Sequence, residues 1–134
     1  MKQNILVVDD HRENLIALEA ILDGDGRNLI MAQSGNEALS LALKHDFALV
    51  LLDVQMPEMD GFETSRAILR LQKEKRLPAT PIVALTAHAV PDKIQACHEA
   101  GMVGHLAKPI NIERLQNTLK QILRDPDIRL ANKP

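Results

Sequence analysis

Several short apolar segments of this sequence end in a side chain capable of polar chemistry. The residues at or just after these ends are Asp9, Asp10, Asp53, Thr86 and Lys108. Three carboxylates brought together would resist ionisation unless a positive charge lay among them. A hard divalent cation such as Mg²⁺ removes that conflict, because it prefers oxygen ligands. With an ammonium and a hydroxyl added, the set has the groups needed to hold a phosphoryl group on a carboxylate.

The position of each residue suggests its role. Asp53 stands alone at the end of the apolar run Leu49-Val-Leu-Leu52, which makes it the best candidate nucleophile, forming an aspartyl phosphate by in-line attack. Asp9 and Asp10 would hold the metal ion, which neutralises charge on the transferring group. Lys108 and Thr86 would each contact a phosphoryl oxygen.

The apolar segments predict strands, and a helical pattern follows each of them. Strands are predicted over residues 5–8, 28–32, 48–53, 81–86 and 104–107. The helices that follow begin near Arg12, Ser34, Phe62, Pro91 and Asn111. Ser34 and Glu37 have the spacing of a capping box. Strands alternating with helices indicate a parallel sheet with right-handed crossovers, so all strand ends with polar residues should meet at one edge.

Composition excludes several classes of protein. A chain of 134 residues fits one domain, which we expect to span residues 1–124 with a loose tail over residues 125–134. The core must be aliphatic, since Phe47 and Phe62 are the only aromatic residues. A net charge of −2 argues against nucleic-acid binding. No apolar run has the length of a membrane span or a signal peptide, and a single cysteine, Cys97, suits a reducing compartment, so we expect a cytoplasmic protein.

Four ordered motifs give the chain a clear resemblance to response-regulator receiver domains of two-component signalling. They are Val8-Asp9-Asp10, Leu52-Asp53 with Met56-Pro57-Glu58-Met59-Asp60-Gly61, Ala84-Leu85-Thr86-Ala87, and Lys108-Pro109. The resemblance covers about residues 4–123, and the wording is most similar to receivers of hybrid sensor kinases. It implies a flavodoxin-like (βα)5 fold, a three-layer sandwich around a parallel five-stranded sheet in the order 2-1-3-4-5.

The resemblance also implies a role for each site residue. Asp53 would be the phosphoacceptor, and Mg²⁺ would be bound by Asp9, Asp10, Asp53 and the backbone carbonyl of Gln55. Thr86 would be the switch hydroxyl, Lys108 would engage the phosphoryl group, and the Lys108–Pro109 bond would be cis. The implied phosphoryl donor is a sensor histidine kinase or a histidine phosphotransfer protein. Phosphorylation would remodel the surface of the fourth helix, fifth strand and last helix, which would bind a downstream protein or form a homodimer.

His11 and His105 lie close in sequence to the predicted site residues. Family members usually carry Tyr or Phe where His105 stands, and that ring couples to the switch threonine, so His105 puts the usual coupling in doubt. We expect His105 to be a half-buried filler. His11 adjoins the acidic pair and could be interpreted as a metal ligand, but imidazole suits softer metals than Mg²⁺, so we do not expect it to be one.

Two other functions remain open from the sequence. One is a Mg²⁺-dependent phosphatase with an aspartate nucleophile, which would want a second acid where Gln55 stands. The other is an interaction module on the same fold that is not phosphorylated, with His105 marking the loss of the switch. In neither the switch nor the module would the chain be an enzyme acting on metabolites.

Overall fold

The computed structural model describes residues 3–22, 27–56, 58–87 and 90–124, in which strands and helices alternate along the chain. The strands are β1 Gln3–Val8, β2 Arg27–Ala32, β3 Leu49–Asp53, β4 Ile82–Thr86 and β5 Gly104–Ala107. The helices are α1 Arg12–Leu22, α2 Gly35–Lys44, α3 Gly61–Glu74, α4 Pro91–Glu99 and α5 Ile112–Arg124. The predicted alternation is therefore confirmed, while the predicted tail over residues 125–134 lies outside the described residues.

The five strands form one sheet in the order β2-β1-β3-β4-β5, and every pairing is parallel. The flavodoxin-like order implied by the family resemblance is thus confirmed. β1 begins at Gln3, earlier than predicted, because Gln3 pairs with Arg27 at the start of β2. β3 occupies the centre, and all of its residues are buried.

Two aliphatic cores lie on opposite faces of the sheet, because successive side chains of a strand point to opposite sides. In β1, Leu6 and Val8 belong to the core that includes residues of α2, α3 and α4. Ile5 and Val7 belong to the core beneath α1 and α5. The molecule is therefore a three-layer sandwich. Phe47 and Phe62 only pack against the first core from its margin, as expected for an aliphatic interior.

The helix starts agree with the predicted positions but differ in one detail of capping. The Ser34 hydroxyl accepts a hydrogen bond from the Glu37 N–H, as predicted. The Glu37 carboxylate, however, accepts from the Gln33 N–H at 2.7 Å, so the reciprocal bond of a capping box is displaced by one residue. A complete capping box occurs instead at Asp60 and Glu63, at the start of α3.

The start of α3 packs directly against the backbone that carries Asp53. A Cβ placed on Gly61 would lie 2.4 Å from the Asp53 carbonyl oxygen and 2.5 Å from Cα of Val54. Both neighbours are backbone atoms, which cannot move aside as a flexible side chain would. The absence of a side chain at Gly61 therefore allows α3 to hold the end of β3 in position.

We expect Gly61→Ala to destabilise the protein by about 2 kcal/mol or more, because helix or strand must shift to accommodate the methyl group. Gly104→Ala is the matched control, since a Cβ at Gly104 meets no atom within 4 Å. Urea unfolding of both variants measures the difference. Equal stability of the two variants would show that the contact between α3 and β3 is not tight.

None of the helices in the described ranges combines the length and apolar character needed to cross a bilayer. Cys97 is a buried free thiol in α4 that packs in the first core, and burial raises its pKa.

Candidate functional site

Strand pairing brings the predicted polar residues to one edge of the sheet. Val8 pairs with Leu52, so Asp9 and Asp53 follow at the same level of neighbouring strands. Thr86, at the end of β4, pairs with Ala107, the residue before Lys108. The Lys108 N–H donates to the Thr86 carbonyl at 2.8 Å, which fixes the start of the loop after β5 against β4.

Lys108 forms ion pairs with the two most buried acids at this edge of the sheet. Its Nζ lies 3.0 Å from Oδ2 of Asp9 and 3.3 Å from Oδ2 of Asp53. The Asp9 side chain is fully buried and that of Asp53 is 3% exposed, whereas 22% of the Lys108 side chain is exposed. Buried carboxylates need such a partner, because an unpaired buried charge is very costly.

The environment of Asp53 is set by burial and by the charges around it. Burial, together with the nearby charge of Asp9, raises the pKa of Asp53 to about 6, although a hydrogen bond from the Gln55 N–H and the charge of Lys108 both oppose this. The Gln55 N–H donates to Oδ1 of Asp53 at 3.0 Å. Asp53 is therefore largely ionised at neutral pH, yet it is more easily neutralised than Asp9.

Asp9 has the opposite tendency. Burial alone would raise its pKa, but hydrogen bonds from the His11 N–H and from Lys108, with the charge of Lys108 and a bond from Asn14, lower it overall. The His11 N–H lies 2.9 Å from Oδ1, and Asn14 Nδ2 lies 3.2 Å from Oδ2. Burial also opposes ionisation of Lys108, but its contacts with Asp9 and Asp53 outweigh this and raise its pKa. Asp9 and Lys108 are thus a firmly ionised pair.

Asp10 is the third acid of this group, and one of its carboxylate oxygens lacks a hydrogen-bond donor among the described residues. Its Oδ1 is buried and accepts no hydrogen bond from the described residues. Oxygen atoms of Asp9, Asp10 and Asp53 and a nitrogen of His11 all lie within 4.8 Å of one another. A buried carboxylate oxygen without a donor, beside two more carboxylates, fits a divalent cation with oxygen ligands.

Comparison with known proteins agrees with this geometry. The sequence profile of the family described as "Response regulator receiver domain" matches residues 5–120. The chain belongs to the response-regulator receiver family. This confirms the resemblance noted from the motifs, and it covers nearly all of the described structure.

This receiver domain is similar to parts of longer proteins. It is 38% identical over 111 residues to the sensor histidine kinase GacS of Pseudomonas protegens, covering 83% of this chain and 12% of that protein. It is 40% identical over 122 residues to the transcriptional regulatory protein ZraR of Salmonella typhimurium, covering 91% of this chain and 26% of that protein. The chain therefore spans only about an eighth to a quarter of these relatives.

Solved structures of similar receivers share the fold. The receiver domain of the Pseudomonas aeruginosa sensor histidine kinase PA1611, described with a magnesium ion coordinated in its active site cleft, has a TM-score of 0.81 and 32% identity, covering 93% of this chain and all of that one. The receiver domain of Ssk1 from Saccharomyces cerevisiae, crystallised with the histidine phosphotransfer protein Ypd1, has a TM-score of 0.84 and 25% identity, covering 90% of this chain and 88% of that one.

The predicted site residues of this receiver domain are found as follows. Asp9, Asp10, Asp53 and Lys108 are brought together, Thr86 is buried at the end of β4, and the Lys108–Pro109 peptide is cis as expected. The expectation for His105 is wrong: its side chain is exposed, because β5 is an edge strand whose burial alternates. Sequence reasoning missed Asn14, which reaches Asp9 from α1, and the only signal for it was its position one helical turn after the acids.

The raised pKa of Asp53 predicts a pH-dependent stability for the metal-free receiver. Between the unfolded value of 3.8 and about 6, the folded state retains a proton that the unfolded state releases, so this contribution to stability falls as pH rises through that window. Asp53→Asn removes the ionisable group. We expect the free energy of unfolding of this variant to equal that of wild type near pH 4 and to exceed it at pH 7 by about 1 to 3 kcal/mol. Urea unfolding in the presence of a metal chelator measures this difference.

Asp46→Asn is the control, because Asp46 is exposed and lies outside this site. A wild-type protein as stable as Asp53→Asn at pH 7 would contradict the idea that an ionised Asp53 is destabilising in this site.

Proposed function

We propose that this receiver domain accepts a phosphoryl group on Asp53 and acts as a phosphorylation-controlled switch. The observation that carries this proposal is the Lys108 ammonium lying 3.0 Å from Asp9 and 3.3 Å from Asp53 at the end of the central strand. Once Asp53 is phosphorylated, its carboxylate no longer carries a negative charge. The ammonium of Lys108 can then bind a phosphoryl oxygen instead. We take residues 1–124 as the receiver and residues 125–134 as a tail.

The reaction needs an ionised carboxylate and a way to disperse charge. An Oδ atom of Asp53 attacks phosphorus in line, and the O–P bond forms as the N–P bond to a histidine of the donor breaks. The electron pair of the broken bond passes to the ring nitrogen, and the ring, whose other nitrogen carries a proton, leaves as neutral imidazole. With a pKa of about 6, Asp53 is ionised at neutral pH without being stabilised as strongly as Asp9. Asp53 is thus the more reactive of the two acids.

Asp9, Asp10, Asp53 and the carbonyl oxygen of Gln55 are the residues that would hold Mg²⁺. The unsatisfied Oδ1 of Asp10 supports this ligand set, since it faces a group of carboxylates and accepts no hydrogen bond from the described residues. When bound, the ion supplies charge neutralisation for the phosphoryl oxygens.

Thr86 and Lys108 are the groups that would report phosphorylation to the rest of the domain. Thr86 is 1% exposed and ends β4, next to the loop that carries Lys108. Drawing the Thr86 hydroxyl toward a phosphoryl oxygen would move the end of β4 and thereby the surface of α4, β5 and α5. His105 lies on this surface and is exposed in β5, so its ring is not buried in the core.

The partners follow from the chemistry. The donor would be the phosphohistidine of a sensor histidine kinase or of a histidine phosphotransfer protein, and the receiver of Ssk1 with Ypd1 is a structural relative in such a pairing. The surface of α4, β5 and α5 would then bind a downstream protein or a second receiver. With a net charge of −2, this chain itself is not suited to bind nucleic acid.

The two alternatives are less well supported. A phosphatase would need an acid two residues after the nucleophile, but Gln55 stands there with an exposed amide that cannot transfer protons as a carboxyl does. A module that is never phosphorylated does not require the buried Asp9, Asp53 and Lys108 group, which is costly to assemble without a function.

Incubation with Mg²⁺ and acetyl phosphate should add the mass of one phosphoryl group to the wild-type protein. Asp53→Asn should abolish this gain, because the nucleophilic oxygen is lost, and Asp46→Asn should retain it. Intact-protein mass spectrometry measures the result. An unmodified wild type, or modification that persists in Asp53→Asn, would overturn the proposal.

Thr86→Ala should separate phosphorylation from switching. We expect the variant to gain the phosphoryl mass, because Asp53 and Lys108 remain, while amide NMR shifts of α4, β5 and α5 change far less than in phosphorylated wild type. Equal shift changes in both proteins would show that the switch does not run through the Thr86 hydroxyl.

A further inference from the structure

His11 is the one imidazole that reaches the acidic group within the described part of the chain. Its Nδ1 lies 3.1 Å from Oδ1 of Asp10 and 3.4 Å from Oδ1 of Asp9, while 57% of its side chain is exposed. Its backbone N–H donates to Asp9, which anchors the residue at the site. The ring therefore extends from solvent over the two acids that precede it.

The contact between His11 and Asp10 is close, but it is not a hydrogen bond. Oδ1 of Asp10 remains without a donor although the His11 nitrogen is 3.1 Å away. In an octahedral site with bonds of about 2.1 Å, neighbouring ligand atoms are about 3.0 Å apart and opposite ones about 4.2 Å. The separations of His11 Nδ1 from the two carboxylate oxygens are thus close to those of adjacent ligands of one ion.

We propose that His11 is an additional ligand of the cation site and that it gives the site a preference for divalent transition-metal ions, such as Ni²⁺ or Co²⁺, over Mg²⁺. This inference rests on the metal site of the proposed function. An imidazole nitrogen is a favourable ligand for these ions, whereas Mg²⁺ prefers oxygen and retains its waters. Mg²⁺ would be held by the oxygen ligands of the proposed site, with His11 turned to solvent.

Calorimetric titration of the full chain with Ni²⁺ alone and with Mg²⁺ alone tests this role. His11→Ala should weaken Ni²⁺ binding by about tenfold or more, in the range found when groups supporting a metal are removed, and should leave Mg²⁺ binding unchanged. His98→Ala is the matched control, because His98 is an exposed imidazole on α4. It should bind both ions as wild type does.

The visible absorption of bound Co²⁺ gives a second readout, which should differ between wild type and His11→Ala but not between wild type and His98→Ala. Unchanged Ni²⁺ affinity in His11→Ala would overturn the role of His11 while leaving the magnesium site intact. Tighter Mg²⁺ binding in His11→Ala would also overturn it, because His11 would then be a competing positive charge. Failure of wild type to bind Mg²⁺, or binding unaffected by Asp10→Asn, would instead count against the proposed function.

Discussion

The charge balance at one edge of the sheet is the constraint on which the site depends. Three carboxylates converge there, and one ammonium, that of Lys108, faces two of them. Among the described residues a single lysine faces these acids, which leaves most of their negative charge uncompensated. Burial is the largest cause of the raised pKa of Asp53, and this charge imbalance, through the nearby Asp9, raises it further. The same imbalance makes the site attractive to a divalent cation, because additional positive charge reduces the repulsion among the three carboxylates.

The fold maintains this costly arrangement with two aliphatic cores. Alternate residues of the strands bury into opposite faces, so the sheet is fixed from both sides by α1 and α5 on one face and by α2, α3 and α4 on the other. Strand ends are therefore held in a defined register, and Gly61 lets α3 lie directly against the backbone of Asp53. Stability supplied by these cores offsets the cost of placing like charges together at the edge.

The sequence predicted the strands, the helices and the gathering of polar residues at one edge of the sheet. It predicted individual side-chain contacts less well. Apolar runs ending in Asp9, Asp53 or Thr86 are local signals, and parallel pairing makes their convergence a consequence of topology. The strand order followed only from the family resemblance, since pairing between distant segments leaves no local trace. Contacts such as that of Asn14 with Asp9 depend on helix orientation, and the exposure of His105 depends on the edge position of β5, so neither could be deduced from spacing.

The role of Asp53 as phosphoacceptor is tested most directly by a crystal structure of the wild-type chain with Mg²⁺ and beryllofluoride, which mimics a phosphoryl group on a carboxylate. Beryllium should be bonded to an Oδ atom of Asp53, Nζ of Lys108 should contact a fluoride, and Asp9 and Asp10 should hold the metal ion. Beryllofluoride bound elsewhere, or a site in which Lys108 remains between Asp9 and Asp53 with no ligand bound, would contradict this role.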